Sequence, residues 1–381
     1  MPRRTHKKSR NGCAECKRRH VKCDERRPVC SNCVASERRC QFMGPARLAQ
    51  TSPSNSQEYA SASPATTSSP GQEPIQAPSG FSEDAPVNML HVELLHNLLV
   101  ETASWVSATH RPSEMSFPNM LQIGLGAPYL MNMLLAISAL NLSITRPDRQ
   151  DFYRHHATRL QNYALSNFNS LSPEFDEQNC IPIFLFASTL GMHLLCDTLV
   201  FRDGLFEDFL DRFVQYIRLH QGIRTVTAEG RWNFLQQTAL GPILSLGAQI
   251  PPMDVEFGPV CRELFERIQV SESDEARIKV YHQTVQALQT VMTVIDTGLS
   301  SNGGLNALIA WPVLISREFV DLVSSRQGEA LVILAYYGAL IHARRDKWIF
   351  TDGGRFLVES VTQYLGPSWH EWLEWPRKVL T

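Results

Sequence analysis

The chain has 381 residues, enough for two or three domains and a sizeable buried core, and its 43% hydrophobic and 19% charged content is that of an ordinary globular protein. The formal net charge of −2 hides a segregation: residues 1–50 hold 14 Lys and Arg against four acids, leaving 22 against 34 beyond, so a head of +10 precedes a body of −12. A basic head on an acidic body points to a polyanionic partner for the head alone. The opening MPRRTHKKSR lacks the apolar stretch of a secretory signal. The longest apolar runs, 129–144 and 181–196, are shorter than 18 residues and interrupted by polar residues or proline, which reads as core rather than membrane span.

In chain order, residues 1–12 form a basic arm, and PRRTHKKSR at 2–10 has the makeup of a nuclear-import signal that can also touch phosphates. Next comes the densest chemistry in the chain. Six of the nine cysteines fall in Cys13-x2-Cys16-x6-Cys23 and Cys30-x2-Cys33-x6-Cys40, one half-motif written twice across a six-residue loop. Without a secretory route, regularly spaced cysteines favour metal over disulfides. Thiolates suit tetrahedral zinc, and a Cys-x2-Cys turn lets two sulfurs converge on one ion. Six sulfurs give two Zn2+ ions four ligands each only if two are shared, and the repeat singles out Cys13 and Cys30 as the bridges. One zinc then takes Cys13, Cys16, Cys23 and Cys30, the other Cys30, Cys33, Cys40 and Cys13. Sites closed by sulfur leave no position for water or substrate, so this metal is structural.

Residues 13–40 have almost no apolar core, with Val21, Val29, Val34 and Phe42 at hand. Metal binding must therefore supply the folding energy, on the order of 10 kcal/mol or more per zinc. A short helix is expected after each Cys-x2-Cys turn, near 14–19 and 31–36. The first carries Lys17, Arg18 and Arg19 and runs into His20 and Lys22, with Arg10 upstream. Pinned by zinc, these side chains suit insertion into a major groove of double-stranded DNA with phosphates gripped on either side. The second helix is nearly uncharged and supportive.

Residues 41–87 turn abruptly to Ser, Pro, Ala, Thr, Gly and Gln, as in SPSNSQEYASASPATTSSPGQEP, and are expected to be a disordered linker. A coil of that length spans about 35 to 40 Å end to end. From 88 to 381 apolar residues recur at helical spacing. Helices are predicted over 88–108, 127–144, 148–169, 178–196, 205–220, 231–247, 258–269, 272–296, 304–325, 328–349 and 354–365, with a tryptophan-rich element near 368–375. Pro147 suits a first helical position, Ser271 with Asp274 resembles a capping box, and Gly222, Gly298 and Gly366 follow periodic stretches. No alternating strand pattern or repeat appears, so the fold class is a small binuclear zinc-cluster module, a disordered linker and a large all-α regulatory domain.

Other signals carry less. Ile278, Tyr281, Val285, Leu288, Met292 and Ile295 make a heptad seam of under three heptads, broadened by Val280, Val291 and Val294 into the stripe of a core helix. Cys180, Cys196 and Cys261 are isolated in apolar contexts and read as buried thiols. His91 and His96 are five apart, which is the wrong spacing for a zinc-protease helix. His155-His156 reads as surface, and Gly124-x-Gly126 lacks the strand and third glycine of a phosphate loop. Trp369, Trp372 and Trp375 suit an interaction element or a core anchor equally.

The stretch HKKSRNGCAECKRRHVKCDERRPVCSNC resembles the fungal Zn2Cys6 zinc-cluster transcription factors in its cysteine spacing, the basic run, CDE and the Pro28 loop. Further on, APYLMNMLLAISALNLS, DFYRHHATRLQNYALSNF and the tail WLEWP resemble the regulatory region of the sterol-uptake-control branch. That resemblance implies a nuclear RNA polymerase II regulator that acts through the transcription machinery. It also implies a helical domain whose hydrophobic pocket takes a sterol-like effector, and an activation function. Relatives that read CGG triplets usually carry Lys or Arg three positions before the third cysteine, where this chain has His20, so base preference is open. Many relatives pair through a coiled coil after the last cysteine. Residues 41–87 hold no heptads, so one head binds alone or pairing runs through the body. No nucleophile, base or cofactor motif appears in 88–381, and an enzyme is not expected.

Overall fold

The computed structural model describes residues 13–19, 21, 23–26, 30–36, 40, 86–102, 117–202, 204–222, 231–238, 240, 256–297 and 303–381. The chain divides into two units, Met1–Gly80 and Phe81–Thr381. The expected linker lies outside the described residues up to position 85. In the first unit, α1 (Ala14–Arg18) and α2 (Ser31–Ala35) fall where the Cys-x2-Cys turns place them. The second unit is helical, and no strand occurs among the described residues.

The second unit opens with α3 (Met89–Asn97), whose start is capped by the Asn88 side chain accepting from the His91 N–H; it runs into a π-helical turn, Leu98–Thr102. A helix not predicted from sequence follows, α4 (Phe117–Gly126). Then come α5 (Pro128–Thr145), with Pro128 in its first turn, α6 (Gln150–Leu171), α7 (Cys180–Val200) and α8 (Phe206–His220). α5 is buried on nearly every side from Tyr129 to Ser143 and packs against α3, α4, α6 and α7. A helix apolar all round is a central helix. By length and hydropathy α5 and α7 are each long and apolar enough to cross a bilayer, longer than the interrupted runs suggest. Here 72% and 56% of their apolar windows are buried within the protein, which makes them core helices.

The remaining helices are α9 (Arg231–Gln236), α10 (Pro259–Ser271), α11 (Glu275–Asp296), α12 (Gly303–Leu314), α13 (Arg317–Ser324), α14 (Gly328–His342), α15 (Gly353–Leu365) and α16 (Glu374–Val379). The seam on α11 buries Tyr281, Val285 and Leu288 in the main core, as expected of a core helix. Its cap differs from the expected box: Asp274 accepts from the Ala276 N–H, while Ser271 belongs to the end of α10. The single helix predicted over 304–325 is two. Ser316 stops it by capping α13, accepting from the Phe319 N–H. Pro312 lies inside α12 and cannot donate to the Leu308 carbonyl four residues back. The buried Tyr337 hydroxyl donates to that carbonyl instead at 2.8 Å, and Gln221 Nε2 donates to the Pro312 and Ile315 carbonyls at the helix end. Trp311 stacks on Tyr337 with ring centroids 4.2 Å apart.

α14 is buried from Ala330 to His342 and lies so close to α15 that a Cβ on Gly354 would sit 2.5 Å from the Gly338 carbonyl oxygen. It ends at His342 rather than near 349, and the charged residues after it fold into consecutive turns. Gly366 closes α15 with φ of 77°, a conformation open to glycine. The tryptophans beyond it are half-buried anchors: Trp369, Trp372 and Trp375 pack on the core, and Trp375 stacks on Tyr336 at 5.0 Å.

Candidate zinc centre and DNA-facing surface

Each half of the first unit turns its cysteines inward at the start of a short helix. Cys13 precedes α1 and Cys30 precedes α2; Cys13, Cys16, Cys23, Cys30 and Cys33 are buried and Cys40 is half-buried. Two groups of four sulfurs form, Cys13/Cys16/Cys23/Cys30 and Cys13/Cys30/Cys33/Cys40, with all ligand atoms in a group within 4.8 Å of one another. They share Cys13 and Cys30, the two positions that the spacing singled out. The Sγ atoms of Cys13 and Cys30 are 3.7 Å apart, those of Cys13 and Cys33 3.7 Å, and those of Cys16 and Cys30 3.6 Å. A tetrahedron with Zn–S bonds of about 2.3 Å has edges of about 3.8 Å, so this donor set fits two tetrahedral Zn2+ ions.

Backbone N–H groups support the sulfurs in matching places. The Cys13 N–H donates to Cys23 Sγ at 3.5 Å, and the Cys30 N–H to Cys40 Sγ at 3.4 Å. The Cys16 N–H donates to Cys13 Sγ at 3.4 Å, and the Glu25 N–H to Cys23 Sγ at 3.4 Å. Burial opposes a charge on Cys13, but the Cys16 N–H and neighbouring thiols outweigh it and bring this thiol down to about 6. Burial together with Cys30 pushes Cys33 up to about 12. Six crowded thiols cannot all ionise without a cation between them, which is the electrostatic reason the cluster needs metal.

Lys17 and Arg18 stand on α1 and Arg19 caps its end, all exposed. Two of them have partners. Glu15 holds Arg18 in a two-pronged pair, with Nε to Oε2 at 3.0 Å and Nη2 to Oε1 at 2.9 Å. Arg19 Nη1 donates to Ser36 Oγ at 3.0 Å, strapping α1 to the end of α2, and Ser36 Oγ donates in turn to the Asn32 carbonyl at 2.6 Å. Lys17 has no ion-pair partner among the described residues. Asp24 accepts from both the Ser31 N–H and the Ser31 hydroxyl, and that hydroxyl holds its carboxyl below the usual range. A side chain seven residues away thus caps the start of α2. The i,i+3 spacing of Glu15 and Arg18 was a readable signal; Arg19 with Ser36 is a tertiary contact with none. Arg10, His20 and Lys22 lie outside the described residues.

The signals discounted from sequence are structural here. His91 and His96 are exposed, and Glu93 between them accepts from Arg146 at 2.6 Å and from the Tyr153 hydroxyl at 2.8 Å. Cys180, Cys196 and Cys261 are buried free thiols. His155 is exposed and His156 half-buried, and Gly124 and Gly126 lie within α4.

Residues 11–48 match the family described as the fungal Zn(2)-Cys(6) binuclear cluster domain. With six sulfurs placed for two ions, the head is a binuclear zinc–thiolate cluster binding two Zn2+. The whole chain is similar to a Zn(2)-C6 fungal-type transcription factor of Gibberella zeae, 27% identical over 99% of this chain and 87% of that protein. It is also similar to the Zn(2)-C6 fungal-type transcription factor afumD of Aspergillus fumigatus, 22% identical over 87% of this chain and 84% of that one. Residues 11–48 thus carry a fungal-type Zn2Cys6 cluster domain, a helical C-terminal domain follows, and along its length the chain is similar to fungal-type Zn2Cys6 transcription factors. The sterol uptake control protein 2 of Candida albicans is 56% identical over 41 residues, 11% of this chain and 6% of that protein. That likeness is confined to the zinc-cluster region.

Proposed function

We propose that the chain is a nuclear, sequence-specific regulator of RNA polymerase II transcription, in which residues 13–40 dock on double-stranded DNA, 41–87 tether and 88–381 regulate. The observation that carries this is a pair of four-sulfur groups sharing Cys13 and Cys30, which fixes α1 with Lys17, Arg18 and the C-cap Arg19 exposed around its last turn. Cys13 and Cys30 bridge the two ions. Lys17 is the open cation for the major groove. Arg18, held flat by Glu15, and Arg19, strapped to Ser36, meet phosphates, flanked by His20, Lys22 and Arg10. The basic run and the arm at 1–12 support nuclear action.

Selection of bound duplexes from a randomised pool by the full-length, zinc-loaded protein tests this. A defined site should emerge, with His20→Arg shifting base preference; no enrichment over the starting pool sinks the proposal. Lys17→Ala should weaken binding to all sequences alike and lower the slope of log affinity against log salt by about 1.

A second reading makes the helical region a receptor for a small-molecule effector. Its support is a cavity of about 530 Å³ within the second unit, beside Asn141. For the pathway we propose sterol or secondary-metabolite genes, on the strength of the helical motifs that resemble the sterol-uptake-control branch. Transcript profiling with and without the protein tests it, and unchanged transcripts in both groups would count against it.

A further inference from the structure

The two arginines beside Lys17 are restrained by opposite means. Arg19 gives Nη1 to the Ser36 hydroxyl at 3.0 Å, a neutral acceptor that leaves its charge whole. Arg18 instead meets a carboxylate. Its Nε and Nη2 donate to the two Glu15 oxygens at 3.0 and 2.9 Å, so one edge of the guanidinium is filled and an opposite charge lies against it. The remaining N–H donors, on Nη1 and the outer side of Nη2, have no partner among the described residues. Burial divides the pair unevenly: the Glu15 side chain is 15% exposed and that of Arg18 69%. The carboxylate is therefore the fixed member, on the first turn of α1 between the buried Cys13 and Cys16. The arginine is the member open to a partner.

An exposed ion pair three residues apart adds little to stability. Its larger effect is on what the head offers to a polyanion. Lys17, Arg18 and Arg19 gather three positive charges around the end of α1, and Glu15 offsets one of them from well inside the screening length of about 8 Å at physiological salt. A phosphate met at random thus feels Lys17 and Arg19 fully and Arg18 much less. At a site whose shape matches the surface the same pair acts the other way, because Arg18 arrives with its orientation set and loses less freedom on binding. We propose that Glu15 is a specificity-determining positioning residue: without touching DNA, it mutes the pull of Arg18 on phosphates in general and presents the open edge of that guanidinium in one orientation to the preferred site. The proposal rests on the DNA-docking reading above and adds to it a residue that lowers affinity for the wrong sequences.

Affinities of the full-length, zinc-loaded protein for its selected duplex and for a scrambled duplex of equal length, measured over a series of salt concentrations, test it. Glu15→Ala should bind the scrambled duplex more tightly and steepen the slope of log affinity against log salt by about 0.9, the share of one freed cation. The ratio of specific to non-specific affinity should fall at least about threefold, since Arg18 must then be ordered on binding. In an Arg18→Ala background the same substitution should leave that ratio unchanged, because no guanidinium remains to be positioned. Glu15→Gln, nearly isosteric and with one oxygen still facing Arg18, should steepen the salt slope equally and lower the ratio less. If Glu15→Ala holds fewer than two zinc ions per chain, the Glu15→Gln slope and ratio decide in its place. A ratio that Glu15 variants leave unchanged, or that falls just as far without Arg18, overturns the proposal and leaves the DNA-docking reading standing. A wild-type protein that selects no duplex overturns both.

Discussion

The head and the helical region reach order by opposite means. Among the described residues of 13–40 the buried apolar atoms are almost all cysteine sulfur, and the exposed residues include Val21 and Val34, so removal of metal leaves only exposed hydrogen bonds such as Arg19 to Ser36 and Ser31 to Asp24 between the halves. In residues 88–381 one continuous core runs from Leu94 to Leu373, and its best-buried side chains, such as Trp311, Phe213 and Phe319, need no ligand to stay packed. The same difference explains where chemistry can be displayed. A metal-held module can turn cations such as Lys17 outward because its fold is held by sulfur and zinc, whereas in the helical region arginines such as Arg154 and Arg212 pair with Asp197 across packed helices.

If that contrast is right, damage to one part should leave the other untouched. The largest effect expected is from Cys13→Ala, which removes a sulfur from both four-sulfur groups. Zinc content should fall below two per chain and specific DNA binding should vanish, a loss on the order of 10 kcal/mol of metal-linked folding energy. The melting transition of the helical region, followed by far-ultraviolet circular dichroism, should stay within a degree or two. Next in size is Gly354→Val, which drives a side chain into the Gly338 carbonyl where α14 crosses α15. We expect about 3 kcal/mol or more of destabilisation by urea unfolding, with two zinc ions per chain retained.

The gentlest way to separate the two is pH. His193 is buried with neither ring nitrogen hydrogen-bonded among the described residues, and burial pulls it down to about 4. His220, against the Tyr216 hydroxyl at 3.2 Å, is likewise brought down to about 4 by burial. Both are neutral in the fold and titrate near the ordinary value of about 6.5 once unfolded. Nothing changes above that value. As pH falls from about 6.5 towards 4 the unfolded chain takes up protons that the folded one refuses, so stability drops by up to about 3 kcal/mol for each histidine and levels off below. Urea midpoints across that range should show the slope, and His193→Leu should flatten its share; an unchanged slope would mean that this ring is not the titrating group.

Much of this organisation was legible because its causes are local. The six cysteines announce the cluster through spacing alone, and apolar periodicity located most helices to within a few residues, as with 148–169 against Gln150–Leu171. What escaped the sequence was decided by neighbours. α4 hid because Phe117–Gly126 carries a proline, two glycines and no charge, leaving no contrast between its faces. The break at Ser316 was masked because the apolar residues Ile315 and Phe319 flank it at helical spacing, and its hydroxyl on the Phe319 N–H reveals a new start. On the DNA-facing surface the cations were readable, but their constraints were not: Ser36 is seventeen residues from Arg19 and meets it only because zinc folds the chain back.

The proline in α12 has one more consequence. The Leu308 carbonyl that Pro312 leaves open is closed by a hydroxyl from α14, so the middle of α12 is chemically complete only after α14 has docked. The order of assembly follows: this helix is not a preformed rod awaiting a partner, and it sets in the same event that brings Tyr337 beneath Trp311. A fragment ending before α14 would lose more than a neighbour, because the backbone of α12 would be left unfinished.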